Sequence, residues 1–120
     1  MQHEILDANA SADLRVYTIW FNMYPGDARW RWDGAGLTDA RVEHFWDERK
    51  AVGTWFSATF THRANPTWDF YALYSPEATW QAEPPAAVSS GGTIIGRREQ
   101  LQAAIEPLLR ATSAVNERAR

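Results

Sequence analysis

LRVYTIWF, residues 14–21, is a nearly continuous apolar run dominated by β-branched and aromatic side chains. Such residues suit a pleated strand better than a helix. Their near-continuity, without clean alternation, predicts a strand buried on both faces, as in the centre of a parallel sheet. NMYPGD, residues 22–27, follows with turn chemistry around Pro25-Gly26. Asp27 is placed to cap a short helix through Ala28 to Trp32, which Gly34 and Gly36 would end.

Working outward, RVEHFW (41–46) alternates and predicts a second strand with Val42, His44 and Trp46 on one face. Residues 47–56 read as a helix with Asp47 at its N-cap, although Gly53 and Thr54 favour it poorly. HRANP (62–66) is a loop. TWDFYALY (67–74) predicts a strand, with Trp68, Phe70, Ala72 and Tyr74 on one face and Asp69, Tyr71 and Leu73 on the other. SPEA (75–78) is a turn. A short strand is expected at Thr79 to Gln81, a connector rich in Pro, Ala, Ser and Gly through Gly92, and a last strand at Thr93 to Ile95. Leu101, Ala104, Ile105, Leu108 and Leu109 mark one face of an amphipathic helix, which Pro107 should kink or shorten. The order β-α-β-α-β-β-α predicts one α/β domain over residues 14–111, with a mixed sheet of about four strands. Polar ends, 1–13 and 112–120, read as flexible.

The chain of 120 residues has the size of one domain, and 45% hydrophobic with 22% charged residues is ordinary for a globular protein. No apolar run approaches the ~20 residues of a membrane span, and the N-terminus lacks a basic stretch followed by an apolar one. A cytoplasmic location is the expectation, with no membrane partner. Lys50 is the one lysine among twelve basic residues, the usage of a GC-rich bacterial genome. The net charge of −3 argues against nucleic acid, even though Arg29-Trp30-Arg31-Trp32 imitates a stacking platform. Seven tryptophans are unusual for this length. Most should build the core, but Trp is also enriched at binding hot spots.

The pattern resembles the thioredoxin superfamily over residues 14–110. The apolar strand runs into Met23-Tyr24-Pro25-Gly26, where that family carries Cys-Gly-Pro-Cys at the start of a helix. Pro66-Thr67 opens TWDFYALY, as the family's cis-proline and Thr open its matching strand. LYSPEATW is similar to the family's hairpin, and Gly96 with Leu101, Ile105 and Leu108 to its last strand and C-terminal helix. The resemblance implies a single thioredoxin-like domain, a cis bond between Asn65 and Pro66, and a ligand surface that unites Met23, Tyr24, Pro25, Gly26, Asp27 and Trp30 with Pro66, Thr67 and Trp68. Both redox cysteines are missing, Met23 and Gly26 standing in their places. The chain contains no cysteine at all. Disulfide exchange and sulfenic-acid chemistry require a thiolate, so both are excluded for this chain.

Other chemistry has few carriers. Asp69, alone in an apolar strand, and His44 are the candidate acid–base groups. Asp69 would equally serve as a structural acceptor for an Arg or a loop amide. His44 with Asp47 or Glu48, completed by His62 or Asp69, is the best metal set, but His44 lies among apolar neighbours, so neither metal nor cofactor is expected. Ser57, Ser89 and Ser90 lack a nucleophile motif, and SSGG (89–92) lacks the lysine of a phosphate loop. The sequence therefore predicts a redox-inactive domain that binds a peptide, protein or small ligand at the 23–27 and 66–69 surface. A cofactor-free enzyme using Asp69 or His44, and a homo-oligomerising structural domain in the form of a homodimer, are the alternatives.

Overall fold

β1, Val16–Trp20, pairs in parallel with β2, Val42–Trp46, setting Val16 opposite Val42, Thr18 opposite His44 and Trp20 opposite Trp46. In this computed structural model, which describes residues 1–119, both strands alternate strictly. Val16, Thr18 and Trp20 are half-buried with Val42, His44 and Trp46, as the pattern of the second strand requires. Tyr17, Ile19, Glu43 and Phe45 are exposed. The expected two-sided burial of the first strand is not found: side chains of a strand alternate between faces, and only one face of this two-stranded ladder is covered.

The chain divides into two units: Met1–Ala10 with Leu14–Thr67, and Ser11–Asp13 with the chain from Trp68 on. The first unit contains β1 and β2. Its N-terminal segment, expected to be flexible, is folded. Gln2–Leu6 forms a wide helical turn and Asp7–Asn9 a tighter one. Ile5 and Leu6 are buried. The polar groups that suggested fraying are spent on the chain itself. Gln2 Oε1 accepts the amides of Thr38 and Asp39. Arg41, at the start of β2, donates to the carbonyls of Leu6 and Asn9 and grips Asp39 through two parallel bonds of 2.8 and 2.9 Å.

α1 is short, Ala51–Phe56. It begins four residues later than expected because Asp47 closes a turn, with Lys50 in the left-handed region. The N-cap residue is Lys50, not Asp47, but the Asp47 carboxylate accepts the amides of Ala51 and Val52 from the preceding turn. The helix continues as a wide turn, Ser57–Thr61, and stops at left-handed His62. Gly53 weakens the helix for a reason the sequence does not show. A Cβ there would lie 2.9 Å from the Thr67 carbonyl oxygen and 3.2 Å from Pro66 Cβ. Gly53→Ala gains up to about 1 kcal/mol of helix propensity but overpacks this contact, at about 1–3 kcal/mol. The clash wins because its nearest atom is backbone, and a net loss of about 1 kcal/mol in urea unfolding is expected.

In the second unit β3, Phe70–Leu73, pairs antiparallel with β4, Ser89–Gly92, so that Phe70 faces Gly92 and Leu73 faces Ser89. The strand predicted at Thr93 to Ile95 is a turn, that at Thr79 to Gln81 is irregular, and the serine–glycine connector is the strand. Smallness is what admits it: a Cβ on Gly92 would lie 2.9 Å from the Asp69 carbonyl oxygen. α2, Arg98–Arg118, buries Ile105 and Leu109 on the predicted face and packs against β4. It runs through Pro107, which faces outward, and beyond the predicted end of the domain. The chain is thus mixed α/β. Among the described residues its four strands form two separate two-stranded ladders rather than one mixed sheet. Among those residues no helix is long and apolar enough to cross a membrane.

Candidate functional site

The loop after β1 is built around Asp27. Its Oδ2 accepts the amides of Met23 and Tyr24, both at 2.8 Å, while its own amide donates to the Tyr24 carbonyl. Asp27 therefore fastens the loop that precedes it, instead of capping the helix expected after it. That helix is reduced to one tight turn, Arg29–Arg31, whose flanking residue Ala28 is extended. The two backbone amides hold the Asp27 carboxyl below its ordinary value, Tyr24 contributing most. A depressed carboxyl acts above its unfolded value of 3.8 and is lost as the pH falls through its folded one. In an NMR titration the amide shifts of Met23 and Tyr24 should move together with a midpoint below 3.8. In Asp27→Asn they should not titrate.

The fixed loop presents apolar side chains to solvent. Tyr24 is 72% exposed, Trp30 is 83% exposed, and Met23 is exposed beside them in sequence. The Arg31 guanidinium stacks over the Trp30 ring at 5.3 Å and reaches the Gly26 carbonyl at 3.4 Å. Trp32 turns the other way. Its ring lies 4.8 Å from Trp20 and 4.9 Å from His44, centroid to centroid. The alternation of Arg and Trp thus yields one anchored and one projecting indole, and no paired stacking platform.

His44 closes the anchor. Its Nδ1 accepts from Thr18 Oγ1 at 2.7 Å and from Trp20 Nε1 at 3.2 Å, and its Nε2–H donates to the Leu37 carbonyl at 3.1 Å. This tautomer is assigned from its partners. Both ring nitrogens are taken up internally, leaving His44 no free position for proton transfer. Thr18 and Trp20 went unrecognised as its partners. The signal was a hydroxyl interrupting an apolar run, opposite His44 in the register.

Pro66 and Thr67, expected on the same surface, make their contacts at α1. Thr67 donates its amide to the Gly53 carbonyl, and Pro66 packs against α1 at the same glycine. The Asn65–Pro66 peptide is trans, Gly92–Thr93 being the cis peptide among the described residues. Asn65 offers its carbonyl to the buried Ser57 hydroxyl. Among the described residues no hydrogen bond, ion pair or ring contact joins Pro66–Thr67 to the 23–27 loop. Trp68, exposed, and Asp69 belong to the second unit. Asp69 is in the left-handed region and its Oδ1 accepts the Ile94 amide at 3.0 Å, the structural role open to it from the sequence.

No family model, curated protein or solved structure matches this chain. Its chemistry must be read from its own residues. Among the described residues no three His, Asp or Glu side chains converge as metal ligands.

Proposed function

We propose that this chain is a redox-inactive α/β recognition domain that binds an extended peptide or protein segment through Met23, Tyr24 and Trp30. The observation that carries this reading is highly exposed Tyr24 on a loop fixed by the Asp27 carboxylate, followed by highly exposed Trp30 on the short turn Arg29–Arg31. Large aromatics held in place lose little entropy on binding and are the usual centre of a hot spot. Side chains this exposed enclose no cavity, which favours a macromolecular segment over a small ligand. The reading stands on these exposed aromatics alone.

The test is a random-peptide display library panned against the wild-type chain. Enriched peptides should bind Tyr24→Ala and Trp30→Ala at least roughly 30-fold more weakly, the size of one hot-spot residue. Enrichment no greater than on an uncoated surface, or peptides that bind wild type and both variants equally, would overturn it.

A further inference from the structure

The outward face of the β1–β2 ladder is a second surface, distinct from the 23–27 loop. Strands paired in parallel are ordinarily covered on both faces, and a ladder of two strands is marginal by itself. Here Tyr17, 59% exposed, and Phe45, 45% exposed, touch at a ring separation of 6.3 Å, with Ile19 exposed opposite Phe45. Two charges flank this apolar centre. Arg15 precedes β1 in the same outward phase, and Glu43 lies opposite Tyr17; both are exposed. Among the described residues neither side chain has an ion-pair partner.

From this arrangement we infer that the face is an interface between two copies of this chain. The face is complementary to itself. A two-fold axis parallel to the strands, lying between two such ladders, places β1 of one copy over β2 of the other and keeps the rows aligned. Ile19 then meets Phe45 of the second copy, and Tyr17 covers the aliphatic stem of its Glu43. Arg15 lies one row along the strand from that same Glu43, within reach of a long side chain. The symmetry makes every contact twice, so both unpaired cations meet unpaired anions while the apolar centre leaves water. Aligned packing of two ladders is a standard sheet geometry, and isologous contacts of this kind are the commonest oligomer interface. Five side chains per copy place the contact at the small end of specific interfaces, so the dimer dissociates in the range of tens of micromolar, roughly.

Sedimentation equilibrium from about 5 to 500 μM measures this directly. The wild-type chain should pass from monomer to dimer within that range. Ile19→Lys should remain monomeric. Arg15→Glu and Glu43→Arg should each weaken the dimer by about tenfold or more, because each sets like charges face to face twice. The double variant, Arg15→Glu with Glu43→Arg, should restore the wild-type constant. These positions are exposed, and unchanged circular dichroism would show that the fold is retained. A monomer at every concentration overturns the inference. So does a dimer whose constant is indifferent to Ile19→Lys, or one that the double reversal fails to restore.

Discussion

Leu6→Ala should destabilise the first unit by about 3 kcal/mol, within the range for a large-to-small change that leaves a cavity. Leu6 is 0% exposed, and with Ile5 it forms the fully buried apolar part of that unit. In native-state hydrogen exchange the slowest amides of β1 and β2 should lose roughly a hundredfold of their protection, tenfold for each 1.4 kcal/mol. Amides unchanged by the substitution would mean that residues 1–10 decorate the ladder instead of stabilising it.

Arg41→Ala should release the same segment by removing the group that holds it from outside. Its guanidinium reaches two carbonyls of the segment and forms a forked pair with Asp39, with about four-fifths of both side chains out of solvent. The pair lowers the Asp39 carboxyl to about 2, the Arg41 hydrogen bonds contributing most. The sign follows from that depression: the stabilisation is complete above 3.8 and disappears as the pH falls toward 2. In Arg41→Ala, Asp39 should titrate above its wild-type value but still below 3.8 in an NMR experiment, because the backbone amide of residue 41 continues to donate to its carboxylate, and limited proteolysis within residues 1–10 should accelerate by about tenfold or more. Arg41→Lys separates charge from geometry. An ammonium restores part of the depression of Asp39 but cannot form the fork or span both carbonyls, so its proteolysis should resemble that of Arg41→Ala.

The parts of the fold legible in the sequence were those where side-chain period alone decides. The inward set Val42, His44 and Trp46 and the buried stripe of α2 are of this kind. The parts that were not legible depend on contacts made across the chain. Nothing in MQHEIL announces that Gln2 will satisfy amides at 38 and 39, or that Arg41 will reach back to residues 6 and 9. Ser89-Ser90-Gly91-Gly92 has the composition of a connector, and only the close passage of the Asp69 carbonyl shows why bulk is excluded there. For the candidate site, exposure was the hidden quantity. Sequence singled out the 23–27 loop and Trp30, but could not tell that Trp32 faces inward, or that Pro66 and Thr67 serve α1.

The second ladder has a weakness that its partners repair. A strand of two serines and two glycines offers little to distinguish one register from the next, and a slip of one residue would exchange its faces. What marks the position is Gln100 on α2. Its side-chain amide donates to Tyr71 Oη at 2.7 Å and to the Ser90 carbonyl at 3.1 Å, while Tyr71 Oη lies 2.8 Å from Ser89 Oγ. The helix therefore reads the alignment of the strands as a pin reads a lock, and a misaligned hairpin leaves the pin unseated. Register and helix seating are thereby coupled: Gln100 meets Tyr71 and Ser90 together in this alignment of the strands.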